Sequence, residues 1–258
     1  MTNRRLAAAL RCLLVLSAVC TALAAAPART DESGTRPAHL QAAADLVEHV
    51  QPADSSYQHK HGVVHWQGSG DATRYECHTD CSGLLNHLLE HCYAIHGKEL
   101  KGWLGKQRPT AETYHEAIVA NNGFGHIVQL ANVRPGDIIA VKYPPGSGNT
   151  GHILIVTHVP TRRAPSAPVV AGTEQWDVRI IDSTASGHGQ GDTRLRPDGT
   201  FRDGIGAGVM RIYTDPQGTV MGHTWSRARG SSYRTQRERH LVIGRLASDK
   251  MAHHEPTN

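Results

Sequence analysis

The chain has 258 residues, of which 39% are hydrophobic and 19% charged, and its formal net charge is +4 at pH 7. This length suits one substantial domain or two small ones. Aromatic residues make up only 5% of the chain and we find no basic stripe for them to interleave with, so nothing in the composition indicates binding to nucleic acid.

The N-terminus has the pattern of a secretory signal peptide. Three arginines accompany an apolar run from Cys12 to Leu23, and the small residues around Ala22 and Ala24 fit a cleavage site. The run is too short to read comfortably as a membrane span. We therefore predict that residues 1–24 are a signal peptide, that the mature chain has no membrane span, and that the protein is secreted or periplasmic. A lipid anchor at Cys20 is the alternative.

Loss of residues 1–24 removes three arginines and no acidic residue, so the net charge falls to +1. Most of the apparent basicity therefore belongs to the leader. Residues 25–38 contain proline, glycine and serine and predict a flexible tail ahead of the folded part.

Apolar residues at helical spacing predict helices in the first half of the chain. One covers residues 39–50 and ends before Pro52, a second begins directly after Cys81, and a third covers residues 110–121. The helix after Cys81 has one apolar face, formed by Leu84, Leu85, Leu88 and Leu89. A short extended piece is expected near Val63.

From residue 134 onward the pattern changes to strands separated by turns rich in glycine and proline. Strands are predicted at 138–141, 151–157, 176–181, 209–213 and 241–246, with loops at 143–150, 160–168 and 187–208. Helices followed by antiparallel strands indicate an α+β fold with the helices packed on the antiparallel sheet. We predict a single domain over residues 39–246 and a disordered C-terminus over 247–258.

The glycine-rich segments 187–191 and 204–208 do not match a phosphate-binding motif, and neither opens a helix. We predict both as loops that flank a cleft.

Cys81 is a candidate nucleophile because it falls at the first turn of a predicted helix. Free backbone N–H groups and the helix dipole favour an anion there, and the thiolate is the reactive form of cysteine. Without Cys12 and Cys20, three cysteines remain, so at least one stays unpaired within the chain. The alternative is a small buried cysteine with no chemical role.

The other two cysteines raise the question of a disulfide. Helical rise places Cys92 about 16 Å from Cys81, which is too far for a bond. Cys77 reaches Cys81 if residues 77–81 turn, so we predict a Cys77–Cys81 bridge under oxidising conditions, with a buried, inert Cys77 as the alternative.

A thiolate nucleophile needs a base, and the base needs a group that orients it. His152 begins one predicted strand and Asp182 ends the next, so antiparallel pairing brings the two side chains together. The carboxylate would then fix the tautomer of the imidazole.

Three ordered motifs resemble those of NlpC-like papain-fold cysteine peptidases. They are Asp80-Cys81-Ser82-Gly83-Leu84, Arg134-Pro135-Gly136-Asp137-Ile138-Ile139 and Gly151-His152-Ile153-Leu154-Ile155-Val156. The resemblance covers roughly residues 57–185 and implies a papain-like fold and hydrolysis of amide bonds in peptidoglycan stem peptides, with no cofactor. It assigns Cys81 as nucleophile, His152 as base and Asp182 as orienting group, with helix N–H groups as the oxyanion hole.

The chain departs from this family at several points. Many members have a second histidine where this chain has Asp182, and their Trp-Gly-Gly segment is present only as Trp66-Gln67-Gly68. We expect Trp66, Trp103 and Trp225 to line the substrate groove, with burial in the core as the alternative.

Two other functions fit the sequence. One is a catalytically silent module that binds the cell wall or another ligand on the same scaffold. The other is a zinc hydrolase, because His87, Glu90 and His91 form an H-x-x-E-H pattern with Glu174 as an arbitrary third ligand in a loop. His59, His61 and His65 are a further possible metal patch, against a solvated histidine-rich loop.

Overall fold

The structure, a computed structural model, describes residues 36–60 and 62–251. The predicted signal peptide at 1–24, most of the predicted tail at 25–38 and His61 therefore lie outside the described residues, as do residues 252–258. All described residues belong to one compact unit that begins at Arg36.

Five α-helices are described: α1 (Ala38–His49), α2 (Cys81–Tyr93), α3 (Gly97–Leu104), α4 (Ala111–Val119) and α5 (Ser248–Met251). The three helices predicted from apolar spacing correspond to α1, α2 and α4. Each packs buried leucine, isoleucine, alanine or aromatic side chains into one core, as an amphipathic helix does. Among residues 36–60 and 62–251 there is no helix both long and apolar enough to cross a membrane.

The prediction of disorder from residue 247 onward is wrong for its first residues. Ala247 donates its backbone N–H to the carbonyl of Gly123 at 3.0 Å, and α5 follows directly. Lys250 lies over the ring of Trp103 at 5.2 Å, and Met251 packs against the helical core. These contacts hold the chain end onto the domain through residue 251.

The strands form two sheets. They are β1 (Ser55–Ser56), β2 (Val63–His65), β3 (Glu76–His78), β4 (Phe124–His126), β5 (Ile138–Lys142), β6 (Gly151–Val156), β7 (Thr161–Arg163), β8 (Glu174–Thr184), β9 (Gly204–Thr214), β10 (Val220–Thr224), β11 (Tyr233–Thr235) and β12 (His240–Leu246). The small sheet has the order β1-β3-β2, and the large one β11-β10-β9-β8-β6-β5-β12-β4 with β7 paired to β8. Every pair in the large sheet is antiparallel.

The large sheet has an apolar layer on each face. Along β5, Ile138 and Ala140 join the core under the helices, whereas Ile139 and Val141 join a second core on the opposite face. Alternating side chains on a strand produce this division. Because both faces are buried, β5 and β6 read as continuous apolar runs. The α+β prediction, with helices on an antiparallel sheet, is confirmed.

The sheet curls around the second core. Gln129, ahead of β5, pairs with Thr219 in the turn between β9 and β10, and Leu130 donates to the carbonyl of Gly218 at 2.9 Å. These bonds bring the two halves of the sheet together. The inner face is therefore a closed apolar interior, and its end is where the polar side chains of the site lie.

Two predicted loops contain strands. Residues 161–163 of the predicted loop 160–168 form β7, and residues 204–208 of the predicted glycine-rich loop form the first half of β9, which pairs with β8 along its whole length. Glycine lowers strand propensity, which is why the sequence favoured a loop. Glycine is nevertheless needed in this half of β9, because buried side chains pack directly against its backbone.

Candidate functional site

Cys81 is the first residue of α2, as predicted. The carboxylate of Asp80 caps the helix by accepting from the backbone N–H of Gly83 at 2.7 Å and from the Ser82 hydroxyl at 3.1 Å. A capping carboxylate occupies one free N–H of the first turn and leaves the N–H groups of Cys81 and Ser82 available to an incoming oxyanion. The Cys81 side chain is a free thiol, 5% exposed.

His152 and Asp182 meet, as their positions at the start and the end of neighbouring antiparallel strands predicted. Nε2 of His152 lies 2.7 Å from Oδ2 of Asp182, and both side chains are buried. The thiol of Cys81 is within hydrogen-bonding reach of the same imidazole. Since Nε2 is bonded to the carboxylate, Nδ1 is the nitrogen left for the sulfur. The structure thus brings all three predicted residues together.

The charges of these groups reinforce one another. Burial alone would lower the pKa of His152, but Cys81 and the hydrogen bond to Asp182 outweigh it and raise that pKa well above its ordinary value. Burial likewise favours a neutral Asp182, but the contacts of its carboxylate with His188 and Arg194 hold its pKa well below the usual range. The pair is therefore an imidazolium beside a carboxylate.

Asp182 has two further partners that the sequence analysis missed. Nε2 of His188 lies 3.0 Å from the same Oδ2, and the Arg194 guanidinium donates to Oδ1 at 2.9 Å. Arg194 is itself held by Asp192, whose two oxygens accept from it at 2.9 and 2.8 Å. All these side chains are buried, and the Arg194 guanidinium lies in contact with both carboxylates.

Trp225 covers this cluster. Its ring stacks on His188 at a centroid distance of 4.3 Å and meets His152 edge-to-face at 4.8 Å. Its backbone carbonyl lies 2.6 Å from Nδ1 of His188. Trp225 was expected to line the substrate groove. Its ring instead contacts the two imidazoles and restrains their ring planes.

The glycines of β9 make room for the buried charges. Gly206 and Gly208 share a face of β9 with Met210 and Ile212, which fill the second core. A methyl group on Gly206 would lie 2.6 Å from Nε of Arg194, and one on Gly208 would lie 2.7 Å from Cβ of His188. Alternate glycines in a strand mark such a close approach, and this signal was present in the sequence.

A hydrogen bond joins the segment just before the Cys81 helix to the strand that carries Asp182. The hydroxyl of Ser183 donates to the backbone carbonyl of Thr79 at 2.6 Å, and Ser183 is fully buried. Gly83 permits the tight turn, because a methyl group there would lie 2.1 Å from the Thr79 hydroxyl. The nucleophile and the orienting carboxylate are therefore positioned relative to each other.

Cys81 opens onto a cleft of about 570 Å³. The walls are formed by Tyr57, His59, Asp80, Ser82, Thr110, Ala111, Glu112 and the segment 143–151. Tyr57 is hydrogen-bonded to Asn149, and burial and then the neighbouring Cys81 raise the pKa of its phenol. Tyr57 thus stays a neutral donor beside the sulfur, a role that the sequence analysis did not assign.

Trp66 and Trp103 do not line this cleft. Trp66 is buried, donates to the carbonyl of Ala42 at 2.9 Å and stacks on His91 at 3.9 Å. Trp103 stacks on Phe124. The predicted groove position is wrong for both, since their rings belong to the core under the helices.

The residues proposed for zinc do not assemble. His91 stacks on Trp66, Glu90 is bonded to His96 at 2.9 Å, and Glu174 starts β8, paired with Arg162, where a loop was predicted. Within residues 36–60 and 62–251 no group of three or more His, Cys, Asp or Glu side chains is arranged to hold a metal ion. Of the second patch, His59 pairs with Asp80 and His65 with Glu76, while His61 lies outside the described residues.

The predicted Cys77–Cys81 bridge is absent, and both thiols are free. Cys77 is the middle residue of β3, and Asp80 is extended at φ −83° and ψ 178°, so the chain does not make the turn that the bridge needs. Burial raises the pKa of Cys77 to about 12, and the pKa of Cys92 is also raised to about 12. Both belong to the helical core as unreactive thiols.

The fold and the site define an α+β protein in which a cysteine, a histidine and an aspartate meet beside a cleft. The chain is 35% identical over 201 residues to an uncharacterized protein of Acanthamoeba polyphaga mimivirus, an alignment that covers 75% of this chain and 88% of the viral protein. The chain therefore belongs to the same family as that viral protein. No protein-family model and no solved structure matches the chain.

The β9 glycines give a first prediction. Gly206→Ala and Gly208→Ala should each destabilise the protein by about 1–3 kcal/mol, because the added methyl groups overpack the buried charges. Urea unfolding measures the change. Gly125→Ala in β4 is the matched control, since a methyl group there meets nothing within 4 Å. Equal effects at all three positions would contradict the packing role.

Proposed function

We propose that the protein is a cysteine hydrolase that cleaves an amide bond. The observation that carries this proposal is the imidazole of His152 between a free thiol and a buried carboxylate, at the edge of a cleft large enough for a peptide. A nucleophile, a base and an orienting group in hydrogen-bonding contact are the parts that nucleophilic acyl transfer needs.

The reaction follows from these positions. The Cys81 thiolate attacks the carbonyl carbon, and the oxygen becomes negative as the C–S bond forms. The N–H of Cys81 and the phenol of Tyr57 donate to that oxygen. The His152 imidazolium protonates the leaving nitrogen as the C–N bond breaks. The neutral imidazole then removes a proton from water as the water oxygen attacks the thioester carbon. The C–S bond breaks, which releases the carboxylic acid and restores the Cys81 thiolate beside the imidazolium.

Asp182 keeps His152 in position through both steps. Its negative charge favours the imidazolium that must form, and its bond to Nε2 directs Nδ1 toward the sulfur. His188 and Arg194 keep that carboxylate ionised in a buried place. The orienting group of the proposed enzyme is therefore a fixed carboxylate, and its partners restrict its rotation.

The substrate class comes from the resemblance to NlpC-like papain-fold cysteine peptidases. The fold is proposed to be papain-like, and the substrate to be the stem peptides of peptidoglycan, with no cofactor. A signal peptide at residues 1–24 would place the mature protein in the periplasm or outside the cell. The α+β sheet with helices on one face and the order of the three motifs support these proposals.

Purified protein incubated with peptidoglycan should release fragments identifiable by mass, with new termini at one amide bond. Cys81→Ala and His152→Ala should abolish release, because each removes an indispensable group. Asp182→Asn should lower the rate by about 10²- to 10⁴-fold, since the nucleophile and base remain.

Asp177→Asn is the matched control, because Asp177 lies on the same strand and pairs with Arg163 and Arg227 away from the thiol. Its rate should stay within about twofold of the unaltered protein, with folding checked by circular dichroism. Unchanged release by Cys81→Ala would exclude cysteine catalysis. Loss of release on chelation, restored by zinc, would favour the metal mechanism instead.

Alkylation tests the thiol without a substrate. Iodoacetamide should label Cys81 near neutral pH, whereas the pKa values of about 12 protect Cys77 and Cys92. Because the pKa of His152 is raised, the imidazolium persists well above pH 6.5 and is lost only as the pH rises through the raised pKa. Asp182→Asn removes a negative partner, so the transition should move to lower pH. Labelling rates by mass spectrometry measure it, and an unmoved transition would contradict the pairing.

Tyr57→Phe tests the proposed oxyanion donor. Loss of one such donor should lower kcat by about 10²-fold while KM changes little, because the bond forms only in the transition state. Tyr75→Phe is the control, since its ring stacks on His49 and packs against the helical core. A change in KM alone would assign Tyr57 to substrate binding.

A further inference from the structure

A basic segment borders the candidate site, although the sequence analysis found no basic stripe. Residues 227–239, here called the arginine segment, contain five arginines and one acidic residue, Glu238. They run from the end of β10 through β11 to the start of β12. Arg227, Arg229 and Arg237 are exposed, and Arg234 and Arg239 are half-buried.

Most of this charge is not neutralised by the protein. Within the described part of the chain, Arg227 is the only arginine of the segment with a carboxylate at ion-pair distance, that of Asp177 at 3.4 Å. Glu238 accepts from the backbone and hydroxyl of Thr235 at 2.9 and 3.1 Å. Burial and then Arg239 and Arg234 lower the pKa of His223 to about 4, as unneutralised positive charge does.

The arginine segment begins and ends close to the site. Trp225, two residues before it, contacts the rings of His152 and His188. At the other end the Arg239 guanidinium lies 4.2 Å over the ring of Tyr143, which lines the cleft beside Cys81. A chain bound in the cleft would therefore pass the segment as it leaves.

The carboxylates of the cleft do not oppose an anion there. Glu112 is paired with Lys142 at 2.8 Å. Asp80 is bonded to the Gly83 N–H and to His59. Neither carboxylate therefore carries an unpaired negative charge that would repel an anion from the arginines.

We propose that the arginine segment binds carboxylate groups of an acidic peptide chain whose scissile amide lies in the cleft. Guanidinium groups bind carboxylates through paired hydrogen bonds, and exposed arginines attract them over a distance of about 10 Å. The placement of the amide depends on the proposed function, whereas the binding of acidic groups does not.

An acidic peptide fits the segment better than a nucleic acid does. Single-stranded nucleic acids are held by aromatic rings that stack on the bases. The two rings in residues 225–239 are both engaged: Trp225 stacks on His188, and Tyr233 meets Tyr213 edge-to-face at 4.8 Å with its hydroxyl bonded to Met221. The arginines therefore offer charge without a stacking surface.

Binding is measured on full-length protein with Cys81→Ala, which prevents turnover. The probe is a fluorescein-labelled 16-residue poly-L-glutamate, read by fluorescence anisotropy at 50 and 300 mM salt. The comparison probes are a neutral Gly-Ser peptide and a single-stranded DNA of the same length. Arg229→Gln with Arg237→Gln is the test variant, since both side chains are exposed. Lys98→Gln with Lys101→Gln on α3 removes the same charge elsewhere.

Poly-L-glutamate should bind more tightly than the neutral peptide, and the arginine double variant should weaken it at least tenfold with a smaller salt dependence. The lysine double variant should stay within about twofold. Equal weakening by both variants, or no binding, would overturn the proposal, and tighter arginine-dependent binding of DNA would make the segment a nucleic-acid surface. Because the assay measures binding and not turnover, these outcomes are independent of whether the protein is a hydrolase.

Discussion

The site depends on the contacts that stabilise the buried carboxylate of Asp182. A carboxylate that is 1% exposed is costly unless each oxygen has a charged or hydrogen-bonding partner. Here one oxygen faces two imidazoles and the other a guanidinium. The requirement extends outward, because Arg194 needs Asp192, both need the space left by Gly206 and Gly208, and His188 needs the carbonyl of Trp225. The loop between β8 and β9, and strand β9 itself, therefore hold the groups that stabilise one negative charge.

The helices and the large sheet contribute different parts of the site. The sheet supplies His152 and Asp182 from neighbouring strands, whose register sets the distance between them. Helix α2 supplies Cys81 at a terminus where N–H groups are free. The Ser183–Thr79 hydrogen bond joins the two layers close to the sulfur. The proposed chemistry therefore needs both layers docked, while the arginine segment adds charge at the rim without entering the machinery.

Local sequence patterns predicted those parts of the fold that local physics determines. The apolar spacing after Cys81 predicts a helix, and the apolar runs of β5 and β6 predict strands, without reference to the rest of the chain. The three residues of the site were predicted from their positions at strand ends and at the start of a helix. Only the first half of β9 was misread, because its glycines make room for side chains that are distant in the sequence. His188 and Arg194 lie in a loop, and their contact with Asp182 is known only once β8 and β9 are paired. The same reason hid β4, β10 and β11, which are short and depend on neighbours far away in the chain. Trp66 and Trp103 were wrongly placed in the groove, because an aromatic ring fits a buried core as well as it fits a groove.

The position of β12 has a consequence for the order in which the molecule forms. This last strand lies between β5 and β4, so that β4 joins the sheet only through it. A ribosome must therefore release nearly the whole chain before the sheet is complete, and until then β5 is an open edge that can pair with other chains. Pairings of this sequence separation are slow to form. A product cut short before residue 240 would keep this edge exposed.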